Sequence, residues 1–241
     1  MLEDAPLFNA GRGSVLTAAG TVEMDAAIAS GRDLRTGAVA CVTRVRNPVL
    51  LARAVMERTP HVLLAGRGAE ALAVELDLEL MKPSWFVTPR ERERLAARVP
   101  AEAAEAAGTV GAVARDRSGA LAAATSTGGA RGQRPGRIGD SPLFGAGTYA
   151  DAGCAISATG DGEAVIRAVA AYEVARLVGD GVPVAEAAER VLRDRVGALG
   201  GAGGLIALGA DGDPALPFTT AAMHRGWRTG DAPPETAIAA L

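Results

Sequence analysis

Apolar positions along this chain fall into two kinds of pattern, short continuous runs and helical spacing. The run over residues 37–42 predicts a short buried strand. Asn47, a favoured N-cap residue, is followed by proline and by apolar residues at helical spacing, so a helix is predicted over 48–58. A second helix is predicted over 68–80, ending near Pro83. The first part of the chain therefore mixes strands and helices.

The middle of the chain changes from charged to apolar and glycine-rich. Residues 89–107 are charged and Ala-rich, which predicts either a helix or a mobile linker with the charges of 90–94 in solvent. Apolar runs at 110–114 and 121–125 flank an Asp-Arg-Ser-Gly turn, which predicts a β-hairpin. A long polar loop is expected over 126–150.

The last hundred residues predict two helices and a strand. Asp161 can cap a helix that ends near Gly179, and Pro183 can open another. The apolar face predicted for the first of these helices consists of Val165, Val169, Tyr172 and Leu177. Residues 204–208 predict a strand. Strands near 110–125 and 204–220, with helices between and before them, favour layered α/β packing without specifying its topology.

Composition narrows the class of protein. With 241 residues, the chain can form one α/β domain, and 49% hydrophobic with 22% charged residues is ordinary for a globular core. Aromatic residues make up only 3%, so the core must be built from small and branched aliphatic side chains. A net charge of −3 argues against a nucleic-acid partner, because phosphate binding needs concentrated positive charge.

Cysteine usage predicts no zinc site, and hydropathy predicts no membrane-spanning segment. Cys41 and Cys154 are far apart, and with only His61 and His224 there is no zinc-ligand spacing. The cysteines are expected to be small buried hydrophobes. No apolar run approaches the roughly 18 residues of a membrane span. The N-terminus lacks the layout of a secretory signal, so a cytoplasmic protein is expected.

Two polar segments depart from what packing alone would require. Residues 125–129 (Thr-Ser-Thr-Gly-Gly) place hydroxyls and glycines directly after an apolar strand. Farther on, Arg137 and Asp140 lie three apart among glycines and prolines. An Arg fork can bind a carboxylate and an Asp can accept from an ammonium, which together match the charged groups on the α-carbon of an amino acid. The spacing equally allows a surface ion pair within the loop.

A third segment, residues 157–163 (Ser-Ala-Thr-Gly-Asp-Gly-Glu), lies at a predicted loop-to-helix junction. Exposed backbone N–H groups at such a junction can stabilise a developing oxyanion, helped by a threonine hydroxyl. The alternative is a plain Gly-rich helix entry, which is commoner for any single motif of this kind.

These segments, in this order and spacing, resemble the plant-type asparaginase / isoaspartyl peptidase family of N-terminal-nucleophile hydrolases. The resemblance covers nearly the whole chain. Its segments are PLFNAGRGSV (6–15), MDAAI (24–28), NPVLLARAVMERTPHVLLAG (47–66), GTVGAVA (108–114), LAAATSTGG (121–129), PGRIGDSPLFGAGTYAD (135–151), SATGDGE (157–163) and the terminal GGLIAL and PFTTAAMHRG.

The resemblance implies an α+β fold, a four-layer αββα sandwich formed by residues 1–241 as a single domain. It also implies that the Thr109 hydroxyl attacks the Gly108–Thr109 bond, leaving an α chain of residues 1–108 and a β chain of residues 109–241. Glycine suits the position before the cut, because it tolerates strained backbone and offers no side chain to block attack.

The resemblance implies one residue that serves as both nucleophile and base. Cleavage would give Thr109 a free α-amino group with a pKa of about 7.7–8.0, which can accept the hydroxyl proton near neutral pH. A His or Cys partner is then not needed. In the same way, Thr127 is expected to bond near the nucleophile, and Thr159 Oγ1 with the Gly160 N–H to form the oxyanion hole. Other hydroxyls, such as those of Thr125 and Thr148, are expected to be structural.

The substrate and ion sites are likewise implied by the resemblance. Arg137 would hold the substrate carboxylate and Asp140 its amino group, with Gly162 lining the same pocket. Asn9 lies in a loop that relatives organise around a sodium ion through main-chain carbonyls, so it is a candidate support residue. No cofactor is required, and this structural sodium is the one ion implied. The expected substrates are L-asparagine and β-aspartyl dipeptides, which present the same aspartyl end, and a dimer of αβ units is expected.

The chain departs from the family pattern at its beginning, and this leaves other readings open. Relatives have a further strand and a His-Gly-Gly-Ala-Gly loop before the Leu-Glu-Asp at positions 2–4. A misassigned start, a cut chain and a naturally shortened relative are the three explanations, and the last allows a non-catalytic remnant. A glycosylasparaginase is the other enzyme alternative, ranked lower because residues 108–111 are Gly-Thr-Val-Gly, whereas that branch resembles Asp-Thr-Ile-Gly.

Overall fold

Two β-sheets face each other in this computed structural model, which describes residues 1–97 and 108–239. The first sheet has the strand order β3-β2-β1-β5-β4, and only the β2–β3 pair is parallel. Its strands are β1 (Met24–Ser30), β2 (Thr36–Val42), β3 (Leu63–Ala65), β4 (Val110–Arg115) and β5 (Leu121–Thr127).

The second sheet is antiparallel, in chain order, and a small hairpin of β10 and β11 follows it. Its packing partners across the interface are the β1, β4 and β5 strands of the first sheet. The strands are β6 (Thr148–Ala150), β7 (Cys154–Gly160), β8 (Gly203–Gly209) and β9 (Pro214–Ala215), then β10 (Arg225–Trp227) and β11 (Glu235–Ala237).

Helices cover the outer faces of the two sheets. The α1 and α2 helices pack on the first sheet, and α6 and α7 pack on the second, which confirms the αββα sandwich. The helices are α1 (Pro48–Arg58), α2 (Gly66–Glu75), α3 (Pro83–Phe86), α4 (Pro89–Ala96), α5 (Gly162–Ala168), α6 (Ala170–Gly179) and α7 (Val184–Val191). Short 3₁₀ turns at Leu2–Asp4 and Gly197–Leu199 and a π turn at Leu192–Val196 complete the described structure.

Small side chains fill the space between the sheets. The buried cluster there consists of Ala29, Leu121, Ala123, Ala150 and Ala155. Larger aliphatic residues lie instead in the two sheet–helix layers. The scarcity of aromatic residues is thus consistent with a core whose central layer is built mostly from alanines, with Leu121 as the largest member of the buried cluster. That allows polar groups carried by the facing strands to approach one another closely.

Several predicted elements are confirmed, among them the α1 helix, the β4–β5 hairpin, and the β2 and β8 strands. The predicted position of Asn47 at the N-cap of α1 is confirmed, but the capping bond from its side chain is not formed. The Glu3 carboxylate accepts from the Val49 N–H instead, at 3.0 Å. A distant acidic residue has taken the place of the local cap, which spacing along the chain could not reveal.

The helix predicted over 68–80 ends earlier than expected. It stops at Glu75, and Asp77 then adopts a left-handed φ of 53°. From the segment predicted over 89–107, the structure describes a helix at Pro89–Ala96, while residues 98–107 lie outside the described part. Glu91 was expected in solvent but is 1% exposed, because Arg90, Arg94 and Arg131 all reach its carboxylate.

The helix after Asp161 is broken where a continuous one was predicted. Val169 adopts a left-handed conformation with φ 48°, separating α5 from α6. This turns the predicted apolar face, so that Val169 and Tyr172 are about half exposed and Val174 is buried. The predicted 126–150 loop also begins later, since 126 and 127 complete the β5 strand and 148–150 form β6.

Candidate active site

Two threonines meet where the β4–β5 hairpin of the first sheet begins and ends. Thr109 directly precedes β4, and the antiparallel register that places Val110 opposite Ser126 brings Thr109 opposite Thr127. The Thr109 hydroxyl donates to Thr127 Oγ1 at 3.1 Å. Thr127 is 3% exposed, and its Oγ1 also accepts from the Gly129 N–H at 3.0 Å. The predicted pairing of these hydroxyls is therefore present in the uncleaved chain.

A third threonine approaches from the second sheet. Thr159 lies near the end of β7, and its Oγ1 would be 3.0 Å from a Cβ placed on Gly108. The Gly108–Thr109 peptide therefore lies beside this hydroxyl. Gly160 follows with a φ of 135°, and a side chain there would collide with the main chain of Ala202 and Gly203. Only glycine fits at this position, where β7 turns toward the α5 helix.

Arg137 is held by an acid that sequence analysis did not assign to the site. Its Nε and Nη2 donate to the two carboxylate oxygens of Glu163 at 2.9 and 2.8 Å, and Nη1 donates to Gln133 Oε1 at 3.3 Å. These hydrogen bonds hold the pKa of Glu163 below its usual range. The guanidinium is thus oriented before any ligand arrives, with its Nη1–Nη2 edge still able to donate.

Asp140 lies beside Gly162, as this guanidinium does. A Cβ on Gly162 would be 2.7 Å from Arg137 Nη2 and 2.9 Å from Asp140 Oδ1, so any side chain there would displace both. Asp140 is 6% exposed, and its Oδ2 has no hydrogen-bond partner among the described residues. Burial raises the pKa of Asp140 to about 6. The alternative of an ion pair within the loop is wrong, because Arg137 pairs with Glu163 instead.

The segment after β5 is fastened to the N-terminal loop by Asn9. Asn9 Nδ2 donates to the Gly129 carbonyl at 2.7 Å, and the Asn9 carbonyl accepts from the Gly128 N–H at 2.9 Å. Its Oδ1 accepts from the Val15 N–H at 2.9 Å. Asn9 therefore fixes the strand end that carries Thr127 through the backbone, without touching Thr109 in the described hydrogen bonds.

Sequence reasoning missed Asp25, which lies behind the loop that carries Arg137 and Asp140. Asp25 is 2% exposed, and its two carboxylate oxygens accept from the Cys41 N–H at 2.9 Å and the Gly139 N–H at 3.2 Å. Glu163 was also missed as a partner of Arg137. Both acids reach the site only through the tertiary fold. In the sequence they are marked only by lying in two of the segments that resemble the family, residues 24–28 and 157–163.

The described residues contain no group of three or more His, Cys, Asp or Glu side chains that could hold a metal ion.

The two cysteines differ from expectation in one respect, because Cys154 is buried but Cys41 is partly exposed. Within the described ranges, no helix is long and apolar enough to span a bilayer.

Comparison with known proteins gives the chain its family. The family model described as asparaginase matches residues 1–238. The isoaspartyl peptidase of Salmonella typhimurium is 50% identical over 252 residues, covering 99% of this chain and 80% of that protein. The isoaspartyl peptidase of Escherichia coli is 49% identical, with 99% and 78% covered. The isoaspartyl peptidase/L-asparaginase of Rattus norvegicus is 45% identical, with 92% and 69% covered. The family model matches nearly the whole chain, including the threonine pair and the Arg137–Asp140 pocket. This match shows that the chain belongs to the asparaginase family.

Proposed function

We propose that this chain is an amidohydrolase that releases L-aspartate from L-asparagine and from β-aspartyl dipeptides. The observation that carries the proposal is that a fixed guanidinium and a buried carboxylate both lie next to Gly162, 2.7 and 2.9 Å from a Cβ placed there. These two charges complement the α-carboxylate and α-ammonium that both substrates share. The names of the similar proteins, isoaspartyl peptidase and isoaspartyl peptidase/L-asparaginase, support the same pair of substrates.

The enzyme would first cut its own chain. The Thr109 Oγ1 attacks the Gly108 carbonyl carbon, the Gly108–Thr109 amide bond breaks, and the acyl group moves from nitrogen to oxygen. Water then hydrolyses the ester, leaving a carboxylate on Gly108 and a free amine on Thr109. The Thr159 hydroxyl, which lies beside Gly108, would stabilise the oxyanion of this step together with the Gly160 N–H.

Turnover would use the amine that the cut releases. The neutral α-amine of Thr109 takes the proton from its own Oγ1, which attacks the amide carbon of the substrate side chain. The tetrahedral intermediate collapses when the amine returns a proton to the leaving nitrogen, which departs as ammonia or as an α-amino acid. A water molecule then hydrolyses the aspartyl ester and frees L-aspartate. Thr127, bonded to Thr109 Oγ1 in the uncut chain, would keep that oxygen in place throughout.

Mass spectrometry of the purified protein tests the cut. We expect two chains, residues 1–108 and 109–241, and a single uncut chain for Thr109→Ala. Ser118→Ala, which removes a hydroxyl from the exposed hairpin turn, is the control and should process like the wild type. A wild-type chain that stays intact after long incubation would favour the non-catalytic remnant and contradict the proposal.

Steady-state rates test the substrates. We expect processed protein to release L-aspartate from asparagine and from a β-aspartyl dipeptide, and Thr109→Ala to lose at least about a thousandfold of the kcat, since it lacks the nucleophile. Release from a glycosylated asparagine as fast as from asparagine would support the glycosylasparaginase alternative instead.

The proposal also includes a structural sodium ion, the absence of another cofactor, and a dimer in the cytoplasm. Sodium would bind the N-terminal loop, where the carbonyl oxygens of Pro6 and Phe8 converge on Gly13, within 2.7 and 2.8 Å of a Cβ placed there; oxygen ligands of this kind suit a hard cation. The enzyme would act without another cofactor. It would work as a dimer of αβ units in the cytoplasm, and size-exclusion chromatography of processed protein would test the dimer.

A further inference from the structure

Asp25 occupies an unusual place in the first sheet. The β1–β2 register slips between Met24 and Ala26, so Asp25 lies at a bulge where strand pairing is interrupted. Cys41 is one of the two β2 residues that face Asp25 in this bulge, and it has a left-handed φ of 53°. The Cys41 N–H does not join the regular ladder at this point and donates to Asp25 Oδ1. A carboxylate is thus built into the sheet as a substitute for a strand carbonyl.

The second oxygen of this carboxylate leaves the sheet and reaches the substrate loop. Asp25 Oδ2 accepts from the N–H of Gly139, the residue directly before Asp140. Gly139 itself lies against Arg137, since a Cβ there would be 2.9 Å from Arg137 Nη1. On its other flank, Asp25 is paired in register with Thr127 on β5. One residue therefore connects the strand end that supports Thr109 with the loop that carries both head-group ligands.

A neighbouring acid adds a second attachment to the same loop. Glu23 Oε2 accepts from the Gly136 N–H at 2.7 Å, so hydrogen bonds from the region of β1 fall on both sides of Arg137. The two attachments differ in what they require. The Glu23 contact uses one oxygen, whereas Asp25 meets two N–H donors with two different oxygens.

We propose that Asp25 is a positioning residue for substrate binding, whose two acceptor oxygens hold the Gly139 peptide and thereby set Arg137 and Asp140 at the correct distance from Thr109. This role rests on the proposed function. Burial of a carboxylate is unfavourable, and it raises the pKa of Asp25 to about 6. The charged groups that face it are Arg137, Asp140 and Glu23. A neutral, well-packed side chain would cost less free energy to bury here, so the presence of an acid is consistent with a positioning role.

The test compares two Asp→Asn changes in processed enzyme. Asparagine at position 25 keeps one acceptor oxygen and turns an NH₂ donor toward the other N–H, so one of the two hydrogen bonds, from Gly139 or from Cys41, is lost. We expect Asp25→Asn to raise the KM for a β-aspartyl dipeptide and the Kd for L-aspartate at least about tenfold, with kcat changed by less than about threefold. The control is Asp151→Asn in the β6–β7 turn, where Oδ1 alone accepts from Gly153 and Cys154. An amide oxygen can replace it, and both constants should stay as in the wild type.

The outcomes separate this role from the function on which it rests. Calorimetric binding of L-aspartate to wild-type protein without any hydrolysis would contradict the proposed function and leave the Asp25 comparison measurable. Hydrolysis by wild type with an unchanged KM and Kd in Asp25→Asn would overturn the positioning role, as would a loss confined to kcat. Should Asp25→Asn fail to fold, amide exchange in the wild type decides: the Gly139 N–H should exchange slowly, and fast exchange there would overturn the proposal.

Discussion

Asp140 keeps an ionisable side chain where water scarcely reaches, and this has opposite effects on stability and binding. Its pKa is raised by burial to about 6 in the folded chain, against a reference value near 3.8. The folded state therefore holds the proton more tightly than the unfolded chain. The stabilising contribution is full below pH about 4 and is lost as pH rises through about 6. At neutral pH the protein keeps a destabilising charge, which is the charge that an ammonium needs.

The same pKa predicts how substrate selection depends on pH. We expect the ratio of kcat/KM for asparagine to kcat/KM for succinamic acid, which lacks the α-ammonium, to be constant above pH about 7. Below pH 6 the ratio should fall, approaching about tenfold per pH unit as Asp140 is protonated. The ratio cancels the titration of the Thr109 amine and of Asp25, because both substrates share them. Initial rates from pH 5 to pH 8 provide the measurement, and a flat ratio would show that Asp140 does not bind the ammonium.

At the break between the α5 and α6 helices, one residue adopts an unfavourable backbone conformation. This break lets α5 begin at Gly162, beside the Arg137–Asp140 pocket. Asp161 Oδ1 accepts from the Glu163 and Ala164 N–H groups, so the first turn of α5 is fixed where Gly162 meets Arg137 and Asp140. Continuing straight, one helix could not keep this start and also pack its next turns on the second sheet. The chain bends at Val169 instead, although a β-branched residue with φ 48° is strained.

That strain leads to a stability prediction for the α5–α6 junction. We expect Val169→Gly to raise the free energy of unfolding by about 1 kcal/mol, because glycine adopts this conformation without a Cβ clash and Val169 is already about half exposed. Urea unfolding of both proteins measures it. Val169→Ala is the matched comparison, since it shortens the side chain but keeps a Cβ. Equal stability of the Gly and Ala variants would mean that backbone strain at this junction is negligible.

The two sheets are joined by hydroxyl groups as well as by alanines. Thr125 is 1% exposed; its Oγ1 lies 2.7 Å from Ser157 Oγ on β7 and 2.6 Å from Thr148 Oγ1 on β6. The small side chains between the sheets permit this closeness, and a side chain on Gly111 would collide with Ser157. Together these hydroxyls satisfy one another where no water could, which ties the sheet that carries Thr109 to the sheet that carries Thr159.

Removing the centre of this network should weaken the whole fold. We expect Thr125→Val, which keeps the shape but removes the partner that the Thr148 and Ser157 hydroxyls share, to lower the free energy of unfolding by about 1–3 kcal/mol. Thr229→Val, at an exposed position after β10, should change it by less than about 0.5 kcal/mol. Chemical denaturation measures both. An equally small effect at Thr125 would show that the hydroxyls contribute nothing to the association of the sheets.

Sequence alone could determine those features that depend on neighbours along the chain or on ordered motifs. The α1 helix, the β4–β5 hairpin and the β8 strand follow from local periodicity and turn residues, and the order of motifs indicated the family and its αββα layers. Periodicity gave no sign of β1 and β7, because their alanine-rich stretches carry little alternation. Motif order also nominated Thr109 and Thr127, and the antiparallel register then brought them within hydrogen-bond distance.

Only the tertiary structure decided which polar groups pair with each other. A buried charged side chain forms hydrogen bonds with the donors or acceptors that lie next to it in the fold, however distant they are in sequence. Glu3 accepts the helix N–H that Asn47 was expected to cap, and Arg137 pairs with Glu163 rather than within the 137–140 loop, as the spacing also allowed. Glu91 is buried by three arginines. Asp25 and Gly139 are separated by 114 positions and meet only after two layers have packed. Spacing along the chain carries no information about such contacts, whereas the cost of leaving a buried polar group unpaired makes them strict in the folded protein.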